Sequence, residues 1–371
     1  MNERLRAAVP SILSVALALV VCWLAIALTR DVKTAGEAYL QMLYGGIGQI
    51  PRYLETGSAA LLARPLGESA GKAALLILTG LSVAVAFKAG LFNIGAQGQM
   101  VVGALASAVV GAQLAAPSVV HIPLAILAAA VTGAAWALIA AALKLWRGVH
   151  EVISTIMLNW VAVSLVDNWL SVGPLRAVAS GGHSVAGTAE ILPSAQFPRL
   201  LADISRLNLG FPVALALALF VWVWLTRTRR GFETQAAGLG PDAARAAGIS
   251  VKQRAAEAMA LSGALAGMAG AVLVLGTEYR YPGSLAAPYG FDGIAIALIG
   301  ANNPLGVTLT AIFFGILRAG GTRMQLLGVH KSFPELIQGL ALLFVAGRLV
   351  WLTLLRKRRA QQPASTEVPR A

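Results

Sequence analysis

Three side-chain amides and three glycines stand together in GLFNIGAQGQM, residues 90–100, between the apolar stretches 73–87 and 101–116. Asn93, Gln97 and Gln99 each offer donors and acceptors, and an uncharged amide costs less to bury in an apolar setting than an ion. Gly90, Gly95 and Gly98 remove side chains where a helix must stop, restart or let another backbone approach. The spacing of Asn93 and Gln97, four apart, predicts that they share one helical face. Such a patch suits a passage for a neutral, hydroxyl-rich or base-like solute. It equally suits hydrogen-bonding glue between helices, with the glycines permitting close packing.

Other polar residues interrupt apolar runs. Asn159 lies inside the apolar segment 152–172, one turn from Thr155 and next to Trp160, whose ring offers a flat surface. Asn159 and Trp160 are therefore candidates for a solute path, against an interhelical hydrogen bond for the amide. Phe291 and Asp292 open another apolar segment, where an acid complements a helix N-terminus as readily as it contacts a solute. In ANNP, Asn303 reads as an N-cap and Pro304 as the first helical residue, which predicts a fresh helix start. His121, His150, His183 and His330 are scattered at segment ends without ligand spacing, so no metal site and no cofactor is expected. Cys22 is the only cysteine and cannot form an intrachain disulfide.

These residues must be positioned by elements suited to lipid. The chain of 371 residues is 57% hydrophobic and 12% charged, with the charges clustered between long uncharged runs. Stretches such as 9–28 and 211–225 carry no charge at all, which excludes ordinary soluble helices with charged faces. Ten apolar segments can be marked: 9–28, 73–87, 95–115, 122–143, 152–172, 211–226, 257–276, 291–300, 305–319 and 334–353. The expected fold is all-α and polytopic, one transmembrane domain over residues 1–359 with a disordered tail at 360–371. The short segments 73–87, 291–300 and 305–319 predict discontinuous or re-entrant helices, tolerated at membrane depth where protein or a wet cavity surrounds them. Residues 36–66, broken by Gly45, Gly46, Gly48, Pro51 and Arg52, fit either an interfacial helix or an eleventh partial span.

Ten crossings bring both termini to one side, with the loops 144–150 and 227–254. That side holds Arg4, Arg6, Lys144, Arg147, Arg227, Arg229, Arg230, Arg245, Lys252, Arg254 and the run Arg356, Lys357, Arg358 and Arg359, and so reads as cytoplasmic. Arg30, Lys33, Arg176, Arg199, Arg206, Arg280, Arg323 and Lys331 fall outside, so the bias is moderate. The net charge of +13 is thus a matter of membrane orientation, and nucleic acid is not an expected partner. Residues 173–210, rich in Gly, Ser and Pro, read as an ordered periplasmic segment over the outer mouth.

The cytoplasmic loop 227–256 holds its own folding instructions. In GPDAARAAGI, Pro241 suits the first helical position, Asp242 the positive helix start and Gly248 a left-handed stop. Ser250 and Gln253 offer a capping box for the next long helix. A two-turn helix is not stable alone and must pack on something. Its alanine surface admits a close partner, and Arg245 supplies a charged anchor. The large apolar residues expected of a helix lying on the membrane are absent. No ATPase is encoded: LGESAGKA at 66–73 has Leu66 and Ala73 where a phosphate-binding loop needs glycine and a hydroxyl. LSGA at 261–264 lies within an apolar span.

GLFNIGAQGQM, EVISTIMLNW at 151–160, GLGPDAARAAGI at 238–249 and GFDGIAIALIGANNPLG at 290–306 resemble, in that order, the motifs of permease subunits of ATP-binding-cassette importers. The class is that of branched-chain amino acid, ribose and nucleoside permeases, in its simple-sugar and nucleoside branch. The resemblance implies a permease in the cytoplasmic (inner) membrane that is not itself an enzyme. Its partners would be a cytoplasmic ATP-binding subunit, a second, related permease subunit and an extracytoplasmic solute-binding protein, with lipid around them. Asn93, Gln97, Asn159, Trp160, Phe291 and Asp292 would line the solute path. Gly238, Pro241, Arg245, Ala247 and Gly248 would form the helix that couples to the ATPase. The alternatives are a secondary transporter, which would want an ionisable residue deep in the membrane where amides stand here, and an intramembrane enzyme, for which no nucleophile–base constellation is found.

Overall fold

The computed structural model describes residues 3–171, 177–178, 184–185, 187–201, 204–283 and 288–360. The chain opens with α1 (Glu3–Thr29), α2 (Val32–Gly46), α3 (Ile50–Thr56), α4 (Ala60–Lys88) and α5 (Ala96–Gln113). It continues with α6 (Ser118–Arg147), α7 (Glu151–Ser171), α8 (Gly210–Arg227), α9 (Arg229–Leu239) and α10 (Pro241–Ala246). Then come α11 (Val251–Leu273), prolonged by a π turn at Val274–Glu278, α12 (Tyr289–Ile299), α13 (Pro304–Met324) and α14 (Phe333–Ala360). Two-residue strands at Ala177–Val178 and Ser184–Val185 pair antiparallel. Arg176, His183 and residues 361–371 lie outside the described residues.

All ten apolar segments fall on helices, and seven described helices are long and apolar enough to cross a membrane. The chain is a polytopic all-α membrane protein. α4 and α11 are mostly buried, whereas α1, α6, α7 and α8 leave much apolar surface outward. α11 crosses α5 and α6 at glycines: a Cβ on Gly103 would strike Gly267, and one on Gly263 would strike Gly133. Small residues let backbones approach where lipid supplies no hydrophobic drive between helices.

Contacts define two ends of the bundle. At the loop end, α9 meets the chain just after α4: Gly238 lies against Lys88, Ala89 and Gly90, leaving no room for a Cβ. Lys144 also pairs there with Glu151 at 2.6 Å across the α6–α7 link. Gly80, two turns before Lys88, packs on Ile296 and Val307, so the α12–α13 link lies at this end. Ser11 and Ile12 of α1 line a cleft with Gly300 and Asn303 beside it. At the far end, Arg30 Nη2 donates to the Gly328 carbonyl at 3.2 Å, placing the end of α1 beside the start of α14. The start of α1 and the end of α14 therefore share the loop end.

Several expectations are corrected. Segment 73–87 is the inner part of one continuous helix, α4, whose first turns at 60–72 tolerate Pro65; the break comes after Lys88 instead. Residues 36–66 fall on three helices: the body of α2, which starts on an Asp31 cap, the short α3, and the first turns of α4. Two hydrogen bonds from Thr34, side chain and backbone, hold the Asp31 carboxyl below the usual carboxylate range. Ser69 Oγ donates to the Gly46 carbonyl at 2.6 Å, and Gly45 and Gly46 lie on Gly320 and Ile316. The capping box does not form. Ser250 makes no side-chain cap, and Gln253 Nε2 donates one turn onward to Glu257 at 3.1 Å. Ser250 still starts the helix, because its extended backbone turns the chain into α11.

Candidate functional site

After Lys88 the chain leaves helical geometry for seven residues before α5 begins. Gly90 takes the left-handed conformation, φ 72°, that turns it back into the bundle. Asn93 thus precedes α5, and the expectation that it shares a helical face with Gln97 is corrected. Its Nδ2 donates to Gln99 Oε1 at 2.9 Å and to Ser262 Oγ at 2.8 Å, while its Oδ1 accepts from Gly95 N at 2.9 Å and Gln99 Nε2 at 3.0 Å. One side chain fastens the unwound strand to α5 and α11. Asn159 does the same from α7, accepting from Gly98 N at 2.7 Å and donating to the Ile94 carbonyl at 2.9 Å. Gln97 Oε1 accepts from Gly290 N at 2.8 Å, joining the start of α5 to the start of α12.

All three amides are buried and satisfy backbone groups that α5 and α12 leave open by starting inside the bundle. The flat surfaces lie outside them. Trp160 is 69% exposed and Phe291 43% exposed, each adjacent in sequence to the amide network or its partner. Asn303 caps α13 through Leu305 N at 3.1 Å with Pro304 at the first helical position.

Asp292 reaches a partner that sequence reasoning passed over. Its Oδ2 lies 2.7 Å from Nη2 of Arg318, with the side chains 14% and 6% exposed. Gln338 Nε2 donates to Asp292 Oδ1 at 3.2 Å, and Glu335 Oε1 lies 3.4 Å from Arg318 Nη2. The guanidinium sits 5.1 Å from the Tyr289 ring centroid, and Lys72 Nζ donates to the Arg318 carbonyl at 3.0 Å. Deep polar positions are therefore not amides alone; charges are present, and they face one another. The missed signal was Arg318 itself, an arginine inside the run 305–319.

In the loop, α10 starts at Pro241 with Asp242 in its first turn. It closes with Gly248 at φ 79°, Gly248 N donating to the Arg245 carbonyl and Ile249 N to the Ala244 carbonyl, both 2.9 Å. Arg245 pairs with Asp242 at 2.6 Å and remains well exposed, as does Ala247. α9 is an additional helix, fixed by Arg254, whose Nη1 lies 2.8 Å from Glu257 and whose Nε lies 3.7 Å from Glu233. Leu239, at the α9–α10 junction, is almost wholly exposed.

The bundle thus combines helices that start inside it with a small capped helix on one end, and comparison with known proteins specifies its family. Residues 66–346 match the model of the branched-chain amino acid transport system permease component, and the chain belongs to that family. It is 39% identical over 285 residues to the guanosine ABC transporter permease protein NupP of Bacillus subtilis, covering 76% of this chain and 80% of that one. It is 37% identical over 284 residues to the glucose ABC transporter permease protein TsgB13 of Haloferax volcanii, covering 74% of each. The nucleoside ABC transporter permease protein NupB of Lactococcus lactis is 33% identical over 326 residues, 86% of this chain and 89% of that one. No solved structure matches the chain significantly.

Proposed function

We propose that this chain is the membrane-spanning permease subunit of an ATP-driven importer for nucleosides or simple sugars. The cargo class rests on its similarity to permeases named for guanosine, nucleosides and glucose. The loop end faces the cytoplasm, in keeping with Lys88, Lys144, Arg147, Arg227, Arg229, Arg230 and Lys252 gathered there, so both termini lie inside the cytoplasmic membrane's inner face. α10 docks on a separate ATP-binding subunit, with Leu239 as apolar anchor and Arg245 as charged anchor. A second, related permease covers the face that bears Trp160 and Phe291, and the solute passes along that face. Asn93, Gln97, Asn159 and Asp292 shape its wall by holding the starts of α5 and α12. A solute-binding protein delivers cargo to the far end, and lipid covers the remaining apolar surface.

The observation that carries the coupling is the contact of Gly238 with Lys88, Ala89 and Gly90. Displacement of α9 and α10 by an ATPase bears directly on the strand that Asn93 fastens, because neither backbone has side-chain slack between them. Alternating access then follows as a rearrangement of elements that start inside the bundle. Replacing Arg245→Glu tests the docking. The Arg245–Asp242 pair is exposed and contributes under ~1 kcal/mol to the fold, so the variant stays folded while co-purification with the ATPase falls. Undiminished co-purification and transport remove α10 from the interface.

A further inference from the structure

At the far end a chamber of about 290 Å3 opens between α4, the end of α11, the start of α12 and the residues Arg199, Arg206 and Asn208. Neither Trp160 nor Phe291 lines it. Two rings, Tyr279 and Tyr289, stand in its wall among Glu68, Lys72, Arg206 and Glu278.

The wall departs from regular structure where it meets the chamber. α11 widens into the π turn Val274–Glu278, and Tyr279 follows at φ 55°, a left-handed conformation that a bulky side chain rarely adopts. Both features concentrate at functional sites. The far-end segment supplies the bonds that the widened helix cannot. Phe197 N donates to the Leu275 carbonyl, Asn208 Nδ2 to the Gly276 carbonyl and Ile191 N to the Tyr279 carbonyl, each at 2.8 Å.

The wall carries charges of both signs, Lys72, Arg199 and Arg206 beside Glu68 and Glu278. Arg206 lies 3.4 Å from Glu68, Arg199 Nη2 is 3.4 Å from the Tyr279 hydroxyl it donates to, and Lys72 is engaged with the Arg318 carbonyl. Glu278 adds a further negative group. Behind Tyr289 the Arg318 guanidinium is itself held by Asp292, which keeps the ring in place. Ring faces beside hydrogen-bonding groups of both kinds fit one neutral, flat molecule bearing hydroxyl, amine and carbonyl groups. The volume is at the small end of ligand pockets, about 300 Å3 upward.

We infer that this chamber is an entry subsite that holds a neutral nucleoside as it arrives from the far end, its base stacked on Tyr279. The inference rests on the cargo class proposed above. The test is binding of radiolabelled guanosine to the purified chain in lipid nanodiscs. Tyr279→Asn removes the ring while keeping a residue that tolerates the left-handed backbone. Glu278→Gln removes a charge at constant volume. Each variant weakens guanosine binding, the first by about tenfold, the size of one lost base–aromatic stack. Guanosine monophosphate competes less well than guanosine. Unchanged binding in both variants, tighter binding of the monophosphate, or no guanosine binding at all overturns the inference. Should Tyr279→Asn unfold the chain, Glu278→Gln decides. Failure is distinguishable from that of the importer reading. If ATP-driven nucleoside uptake proceeds undiminished in both variants, the chamber assignment falls alone; if the assembled transporter takes up no nucleoside or sugar, the broader reading falls.

Discussion

Arg318→Met isolates the energetic weight of the buried charge cluster. The substitution keeps an unbranched apolar side chain but leaves the Asp292 carboxylate, 2.7 Å from the lost Nη2, without its counter-charge. Removing one partner of a buried pair costs about 3–5 kcal/mol. Gln338 still donates to Asp292, and Glu335 is half exposed and adds little, which sets the expectation at about 3 kcal/mol. At roughly 2 °C per kcal/mol for a chain of this size, the melting temperature falls by about 6 °C. The double variant Asp292→Asn/Arg318→Met recovers most of that loss, because replacing both partners by neutral groups is often nearly neutral. Detergent-solubilised chain, heated and followed by size-exclusion chromatography, gives all three values. A single variant that melts within about 2 °C of the parent, or a double variant that melts no higher than the single, refutes the view that the two charges hold each other.

Three further outcomes separate packing from passage. Gly267→Leu drives α11 off α5 and α6 and lowers the yield of folded chain, at a cost above the ~1–3 kcal/mol of ordinary overpacking, whereas Gly71→Ala, with nothing within 4 Å of its Cβ, leaves the yield unchanged. Asn93→Leu destabilises the chain by about 3 kcal/mol through its orphaned partners, with uptake lost in parallel. Trp160→Ala reduces uptake at unchanged melting temperature, since the ring packs little within this chain. Comparing melting curves with uptake for these two variants distinguishes wall-building from solute contact.

The helices were legible wherever local chemistry and tertiary packing agree. All ten apolar runs fall on helices, seven of them long and apolar enough to cross a membrane among the described residues, and Pro241, Gly248, Asn303 and Pro304 take the positions their conformational preferences require. What escaped was long-range pairing. Asn93 and Gln97 have helical spacing, but four hydrogen bonds to Gly95, Gln99 and Ser262 draw Asn93 into an unwound strand ahead of α5. Arg318 sits in a run apolar enough to conceal it, and its meaning depends on Asp292, distant in sequence and adjacent in space. Ser250 and Gln253 carry a capping pattern, yet Gln253 turns toward Glu257. The length of α4 escaped because its first turns carry Arg64, Pro65, Glu68 and Lys72 and do not read as an apolar run.

Uptake by reconstituted vesicles decides the central claim. The chain is assembled with its ATP-binding and permease partners, supplied with binding protein and labelled guanosine outside and ATP at the loop end, and accumulation is followed over time. The account predicts uptake that requires ATP hydrolysis and stops when the ATP-binding subunit is omitted. Accumulation by this chain alone on a proton or sodium gradient, with ATP absent, would contradict it.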